Sequence, residues 1–283
     1  MKIIRTGEVG SERAAVVQAD GTVRVLPESF GDIDARFWGD GRVEEIRTFL
    51  ATNSAVEIVN PSVRRGSPIT KPEKIICIGL NYRDHANETG ATIPTEPIIF
   101  MKAPNCVIGP HDEILVPRGS TKTDWEVELG VVIGTRARYL PSPEKALSYI
   151  GGYCISHDVS EREFQMERGG QWDKGKSCET FNPLGPWLVT PDEIDDPQNL
   201  GLRLSVNGVT RQDGSTSDMI FDVAYLVWYV SQFMVLEPGD LINTGTPAGV
   251  SLGHDDVPFL KAGDVVELSI DGLGSQRSVL AQA

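Results

Sequence analysis

The feature that most constrains the fold of this chain is a succession of short strand patterns with almost no helical periodicity between them. Apolar runs predict buried strands over residues 74–80, 124–134 and 152–157. One clear helix is predicted over 222–234, where apolar side chains recur at i, i+3, i+4 and i+7 after Asp222, a suitable N-cap. Many strands without alternating helices predict an α+β, mostly β fold with an antiparallel or mixed sheet, as in a sandwich or barrel.

Chain breakers divide this pattern into two parts. Prolines, a glycine and an asparagine cluster over residues 60–72 and predict a boundary between domains. Before it, a turn at Asp20–Gly21 predicts a hairpin, and a short helix is expected over 43–51. With 283 residues, we expect a small β-rich domain over 1–70 and a larger second domain over 71–283.

The remaining local signals refine the second part. Asn207–Gly208 and, more weakly, Asp271–Gly272 predict hairpin turns. A short helix is expected near 143–150. Another is predicted to begin at Ser160, because Ser160 and Glu163 fit the capping-box pattern.

Composition excludes several classes of partner. The chain has 40 acidic and 26 basic residues and a net charge of −14, which disfavours nucleic acid and anionic membrane surfaces as partners.

The four cysteines and the apolar runs bear on the compartment. The cysteines lack zinc-ribbon spacing, and we expect buried, reduced thiols at Cys77, Cys106, Cys154 and Cys178. No apolar run approaches the ~20 residues of a membrane span, and no signal peptide is recognisable, so a cytoplasmic protein is expected.

Two glutamates in an apolar strand are the most informative chemical signal. Because side chains alternate along a strand, Glu126 and Glu128 point to one face, while Trp125, Val127 and Leu129 point to the other. Two adjacent carboxylates repel each other, so either this face meets solvent or a cation lies there. The pattern by itself leaves both readings open.

A third carboxylate follows the next predicted strand. Asp158 ends that strand, and Arg162 and Gln165 are expected on one face of the helix after it. Taken alone, this is an ordinary helix start. Together with the two glutamates, Asp158 completes a set of hard oxygen ligands suited to Mg²⁺, Mn²⁺ or Ca²⁺.

A histidine and a glutamate follow the first buried strand. If the chain turns helically there, His85 and Glu88 are i, i+3 neighbours, and the carboxylate can orient the imidazole as a general base for water. The alternative is an ordinary surface pair. Of the other histidines, His157 adjoins the acidic residue, whereas His111 and His254 are expected on the surface.

Two further segments offer polar groups without specifying a role. Lys176 follows a flexible glycine pair and could bind a carboxylate or a developing enolate. Residues 243–249 combine a strand end with glycines and threonines, including Thr246, and could hold an anion. No Walker loop or dinucleotide-binding glycine motif is present.

These segments, in this order, resemble the fumarylacetoacetate hydrolase family over residues 72–275. The resemblance implies a mixed β-roll catalytic domain, and it implies homodimers. The first 70 residues resemble the small β-rich domain of bacterial members. The motifs that carry the resemblance are Gly79-Leu80-Asn81-Tyr82 with His85 and Glu88, Glu126-x-Glu128, Asp158 with Arg162 and Gln165, Lys176, and Thr244-Gly245-Thr246-Pro247.

The resemblance also implies roles for individual residues. Glu126, Glu128 and Asp158 would be the ligands of Mg²⁺ or Mn²⁺. His85 and Glu88 would form a dyad, on a lid over the substrate, that activates water. The remaining site residues implied are Lys176 at the metal and, at the substrate, Arg162, Gln165, Thr246 and Tyr82.

Residues 161–176 and 181–187 are further similar to a bacterial subgroup often labelled ureidoglycolate lyase. This subgroup includes 2,4-diketo-3-deoxy-L-rhamnonate and -L-fuconate hydrolases. Asn182 and Ser251 stand where glycine is frequent, and both flank the site, which puts substrate specificity in doubt more than mechanism.

The resemblance implies a metal-dependent hydrolase that cleaves the C3–C4 bond of a 2,4-diketo acid. Its substrate would be a small anionic 2-oxo acid, and its products pyruvate and a small acid such as lactate. Three alternatives stay open: a decarboxylase or isomerase acting on oxaloacetate-like or 2-hydroxydienedioate substrates, a ureidoglycolate lyase, and a non-catalytic protein that binds a small acid.

Overall fold

A sandwich of two β-sheets forms the body of the molecule in a computed structural model that describes residues 1–38, 41–53, 55–254 and 256–283. The strands are β1 (Lys2–Thr6), β2 (Arg13–Val17), β3 (Val23–Val25), β4 (Ile58–Val59), β5 (Ile75–Gly79), β6 (Ile98–Lys102), β7 (Val107–Ile108), β8 (Ile114–Val116), β9 (Thr123–Asp124), β10 (Val127–Ile133), β11 (Ile150–His157), β12 (Ser160–Glu161), β13 (Asn182–Val189), β14 (Gly201–Val206), β15 (Val209–Ser215), β16 (Leu241–Asn243), β17 (Val265–Ile270) and β18 (Gly274–Gln282). The α-helices are α1 (Arg42–Thr52), α2 (Arg83–Glu88), α3 (Pro143–Ala146), α4 (Asp173–Lys176) and α5 (Val223–Ser231).

The two large sheets pack face to face. The first has the order β4-β3-β2-β1-β13-β11-β10-β16-β5-β6, with β7 beside β13, and the second has the order β15-β14-β17-β18-β8. Strands β10, β11 and β13 of the first sheet contact β14, β17 and β18 of the second. Most pairs are antiparallel, whereas β16–β5, β13–β7 and β18–β8 are parallel. The expected α+β, mostly β class with a mixed sheet is confirmed.

The strands at the start of the chain extend the first sheet. Strand β1 pairs antiparallel with β13 through Lys2 and Ile3, and the hairpin expected at Asp20–Gly21 joins β2 to β3. Helix α1 follows, close to the bounds expected from the sequence. The division of the chain into domains at residue 70 stays a prediction.

The predicted strands are present, with one interruption. Strands β5 and β11 correspond to the runs at 74–80 and 152–157, and both are buried. The run at 124–134 is divided, because β9 pairs with β12 whereas β10 pairs with β11. Trp125 and Glu126 lie at the point where the chain changes partner, and this bend places Glu126 at the end of the sheet.

Two helical predictions have different outcomes. Helix α5 is confirmed, and the Asp222 side chain accepts a hydrogen bond of 2.7 Å from the Tyr225 amide. The helix predicted to begin at Ser160 is wrong: Ser160 lies in β12, and its hydroxyl donates to the Asp158 carbonyl. Pairing with buried β9 gives this backbone its hydrogen bonds, and the chain coils only afterwards, in a π-helical turn over Glu163–Glu167.

The cysteines lie where the sequence suggested, with one exception. Cys77, Cys106 and Cys154 are buried and Cys178 is partly exposed, and all four are free. Burial raises the pKa of the Cys106 thiol to about 11, so this thiol stays protonated at neutral pH. Within the described ranges, the helices are too short or too polar to cross a membrane.

Candidate active site and metal centre

The pairing of two antiparallel strands brings three carboxylates together. Glu126 directly precedes β10, Glu128 lies within it, and Asp158 directly follows β11. The Asp158 amide donates to the Glu126 carbonyl at 3.0 Å, which extends the ladder by one step beyond β10 and β11. One carboxylate oxygen from each residue lies within 4.8 Å of the others. We call these three residues the acidic triad.

The acidic triad is buried, so its face does not meet solvent. Glu126 is 6% exposed, Glu128 is 2% exposed and Asp158 is fully buried. The alternative interpretation, in which the face with Glu126 and Glu128 meets solvent, is therefore wrong. A buried carboxylate stays ionised where positive charge is paired with it, and otherwise its pKa rises.

Three buried cations supply part of that charge. Lys176 Nζ lies 2.7 Å from a Glu126 oxygen and 2.9 Å from an Asp158 oxygen. Arg162 Nη2 lies 2.8 Å from the other Glu126 oxygen, and Lys102 pairs with the other Asp158 oxygen. Lys102 escaped the sequence analysis, because its only signal is a lysine at the end of an apolar strand.

The charges are unevenly distributed over the triad. Burial acts to raise the pKa of Glu126, but Lys176 and Arg162 outweigh it and lower that pKa to about 2. Burial and the charges of Asp158 and Glu126 raise the pKa of Glu128 well above its ordinary value. Glu128 accepts one hydrogen bond of 2.8 Å, from the Gly245 amide. A divalent cation would supply the positively charged partner that Glu128 lacks.

The donor set fits a hard divalent cation. Three carboxylates without histidine or cysteine suit Mg²⁺, Mn²⁺ or Ca²⁺ better than Zn²⁺. His157 adjoins the triad and is fully buried, and burial and nearby Lys102 lower its pKa to about 3. The acidic triad can therefore hold a metal through oxygen ligands.

The expected dyad forms on helix α2, which follows β5 after a short turn. His85 Nδ1 lies 3.2 Å from Glu88 Oε2, and both side chains are largely buried. Burial acts to raise the pKa of Glu88, but hydrogen bonds from His85, His254 and the Gly249 amide outweigh it and hold the pKa below its ordinary value. The alternative interpretation, in which His85 and Glu88 form an ordinary surface pair, is therefore wrong.

One cavity of about 390 Å³ is lined both by His85 of the dyad and by Glu126 of the triad. Glu126, Arg162 and Lys176 line it near the triad, and His85 and Thr246 also contribute to its wall. The apolar part of the wall comes from Ile78, Leu80, Phe100, Met166, Trp172 and Leu252. A small molecule in this cavity would contact both groups.

Three of the four expected substrate-binding residues are ordered by hydrogen bonds of their side chains. Arg162 Nη1 donates to Gln165 Oε1 at 3.0 Å, and both residues line the cavity. The Thr246 hydroxyl donates to the Val127 carbonyl and accepts from Gln212. Tyr82 differs from them: it is fully buried, it is not among the residues described as lining the cavity, and no hydrogen-bond partner of its hydroxyl is found among the described residues. Their roles in substrate binding stay predictions.

His254 was expected on the surface and is partly exposed, but the structure adds a contact that the sequence did not predict. Its side chain is 37% exposed, but Nε2 lies 2.7 Å from Glu88 Oε1. The sequence offers little warning, since the residue lies five positions beyond the 243–249 loop and far from Glu88 along the chain. His111 is exposed, as expected.

Comparison with known proteins identifies the family that shares this architecture. The model of the family described as "Fumarylacetoacetate (FAA) hydrolase C-terminal" matches residues 74–281. A protein of Burkholderia ambifaria, named only provisionally as a hydrolase, is 48% identical over 277 residues, which cover 98% of this chain and 97% of that protein.

Two solved structures cover the whole of this chain. The fumarylacetoacetate hydrolase of Exiguobacterium antarcticum is 35% identical with a TM-score of 0.82, and all of that chain is covered. The 2-hydroxyhepta-2,4-diene-1,7-dioate isomerase of Mycobacterium marinum is 31% identical with a TM-score of 0.75, and 98% of that chain is covered. With a family model matching residues 74–281, this chain belongs to the fumarylacetoacetate hydrolase family.

Proposed function

We propose that this chain is a Mg²⁺- or Mn²⁺-dependent hydrolase that cleaves the C3–C4 bond of a 2,4-diketo acid and releases pyruvate. The observation that carries the proposal is one cavity lined by His85, which is paired with Glu88, and by Glu126, which belongs to the acidic triad. A water-activating base beside a site for a divalent cation is what hydrolysis of a carbon–carbon bond next to a 2-oxo acid requires.

The dyad would supply the base. Because Nδ1 of His85 faces the Glu88 carboxylate, Nε2 is the nitrogen left to take a proton from water. The hydroxide formed attacks the C4 carbonyl, the C3–C4 bond breaks, and its electron pair stays with C3, which takes a proton to give pyruvate. Glu88 keeps the imidazole in one orientation and balances the charge that it gains.

The other end of the cavity would bind the 2-oxo acid. Glu126, Glu128 and Asp158 would hold the cation, which supplies Lewis-acid stabilisation of the negative charge that develops on the pyruvate fragment. The Lys176 ammonium lies among the same carboxylates and would add a second positive charge there. Arg162, Gln165, Thr246 and Tyr82 are proposed to bind or orient the substrate.

The acyl group beyond C4 determines the exact substrate. The sequence resemblance to the 2,4-diketo-3-deoxy-sugar acid hydrolases favours 2,4-diketo-3-deoxy-L-rhamnonate or -fuconate, with lactate as the second product. A homodimer is also proposed from the family resemblance, and light scattering of the purified protein would measure it.

The decay of near-ultraviolet absorbance of 2,4-diketo acids tests the proposed function. A panel of acylpyruvates and deoxy-sugar diketo acids is incubated with the protein and Mg²⁺, and then with EDTA. We expect decay that EDTA stops and added Mg²⁺ restores, with pyruvate as a product. Absence of decay across the panel would contradict the proposal and favour a non-catalytic acid-binding protein.

A second candidate is an isomerase or decarboxylase. It is favoured by the similarity to the Mycobacterium marinum isomerase over the whole chain. Product analysis separates the two activities, because isomerisation releases no pyruvate and decarboxylation releases CO₂. The same panel should include ureidoglycolate, whose cleavage would release urea.

A further inference from the structure

Glu88 is held from two sides by histidines. On its own helix, His85 Nδ1 lies 3.2 Å from Oε2, and on a distant loop His254 Nε2 lies 2.7 Å from Oε1. The Gly249 amide donates to the same carboxylate at 2.9 and 3.1 Å. Each Glu88 oxygen therefore has a histidine partner, and the backbone amide fixes the plane of the carboxylate.

The loop that carries His254 is itself anchored to the site. After β16 it returns past β9, where the buried Asp124 accepts hydrogen bonds from the Ser251 amide at 2.8 Å and the Leu252 amide at 3.0 Å. The Trp125 indole donates to the Gly249 carbonyl at 3.0 Å. The position of His254 thus depends on a buried anchor and not on a free surface loop.

The same anchor reaches the acidic triad. Asp124 also accepts from Arg162 Nε at 2.8 Å, and Arg162 pairs with Glu126. The other carboxylate of helix α2, Asp84, faces Asp218 and the Ala248 amide instead of Glu88. Among the residues that the structure describes, the titratable partners recorded for Glu88 are His85 and His254.

We propose that His254 is a positioning residue that holds Glu88 in the orientation in which Glu88 orients His85. The inference rests on the proposed function, in which His85 is the base. A glutamate side chain has rotatable torsions, and a donor at Oε1 leaves Oε2 directed at the His85 ring. His254 does not contact the reacting atoms in this scheme and acts through Glu88.

Kinetics of His254→Ala test the role. Loss of a partner behind an active-site residue typically costs ~10–100-fold, so we expect kcat to fall by about that factor with little change in KM or metal affinity. Removal of one of the hydrogen bonds that lower the pKa of Glu88 should also raise that pKa, which can be measured independently of the rate.

Two variants separate positioning from stability. His254→Gln retains an amide donor and should recover most of the loss, whereas His111→Ala, at an exposed histidine away from the cavity, should leave activity unchanged. Equal activity in His254→Ala would overturn the inference. A lowered melting temperature with an unchanged pKa of Glu88 would show a structural role only, and would overturn it too.

A measurement without substrate distinguishes failure of this inference from failure of the proposed function. The Glu88 carboxyl carbon is titrated by ¹³C NMR in the wild type and in His254→Ala, with Glu88→Gln for assignment. We expect its midpoint to rise in His254→Ala, even if no compound in the panel is cleaved. An unchanged midpoint would contradict the contact itself, whatever the activity.

Discussion

At the scale of single residues, the three carboxylates of the triad differ in how their charges are compensated. Glu126 has two buried cations within 3 Å, whereas Glu128 has one amide donor and two acidic neighbours. An uncompensated buried charge is costly, and a cation that binds it recovers that cost. Glu128 should therefore be the ligand on which metal affinity depends most.

Glu128→Gln should abolish measurable Mn²⁺ binding, because it removes the charge that the cation compensates. Titration calorimetry would measure the affinity. Glu167→Gln, at an exposed glutamate paired with Lys122, should bind as the wild type does. In EDTA the Glu128→Gln protein should melt at the same or a higher temperature, since burial and the neighbouring carboxylates disfavour ionisation at this position and an amide cannot ionise. Unchanged Mn²⁺ affinity would refute the ligand assignment.

His85→Ala should lower turnover by ~10²–10⁴-fold, the range for loss of a general base. Mn²⁺ affinity should stay at the wild-type value, because His85 is not one of the acidic triad. Steady-state kinetics on the best substrate of the panel, with calorimetry on the same sample, measures both. Full activity in this variant would show that another group activates water.

At the scale of elements, the loop after β16 connects the dyad to the rest of the site. It reaches Glu88 through Gly249, which has φ of +106°, and a Cβ there would lie 1.9 Å from the Arg211 carbonyl oxygen on β15. Both this backbone conformation and that contact exclude any residue other than glycine at position 249. The close approach of loop and strand sets where the Gly249 amide meets Glu88.

Gly249→Ala should displace the loop and lower kcat by ~10²-fold, the cost of a displacement of about 1 Å in an active site. The matched control is Gly263→Ala, which has φ of +94° but open space around the added Cβ. The control should lose stability without losing kcat. Equal kcat values for the two variants, measured well below both melting temperatures, would contradict this role of the loop.

At the scale of the whole molecule, the first strands and the region after residue 70 are joined by backbone and by charge. Besides the pairing of β1 with β13, Arg64 bridges Glu12 at 2.9 Å and Asp112 at 2.6 Å. Burial acts to raise the pKa of Glu12, but its pairing with Arg64 and the charge of Arg5 hold it below the ordinary value. Glu12 is thus ionised in the folded protein well into the acid range.

Glu12→Gln should lower the melting temperature at pH 7 by roughly 2–4 °C, the effect of about 1 kcal/mol in a protein of this size. A carboxylate with a lowered folded pKa stabilises above its unfolded value of 4.5 and loses this effect as pH falls through the folded pKa. The difference from wild type should therefore vanish near the acid end of a calorimetric pH series. Glu57→Gln, in an exposed pair with Arg13, should change little.

The net charge also has a different meaning for the whole molecule than for the site. The chain carries −14, yet Lys102, Lys176 and Arg162 surround the triad with buried positive charge. With a divalent cation added to the triad, these three cations would leave the site with a net positive charge, which would suit the proposed anionic substrate. The overall charge therefore bears on which macromolecules the protein can bind, whereas the local charge of the site bears on which substrate fits the proposal.

Much of this architecture was predictable from local patterns. Apolar runs located β5, β10 and β11, and the alternation of side chains along a strand placed Glu126 and Glu128 on one face. The i, i+3 spacing of a helical turn likewise predicted the contact between His85 and Glu88. These features depend on residues a few positions apart, whose geometry is set by the backbone alone.

Sequence alone therefore determined the strand-rich class, the helix with its Asp222 cap and the composition of the acidic set. Only the tertiary structure decided that Ser160 joins a strand, that Lys102 pairs with Asp158 and that His254 binds Glu88. The physical reason is distance along the chain: these contacts span 36, 56 and 166 positions. Local propensity has no influence over that range, and sheet pairing and buried charge determine which groups meet.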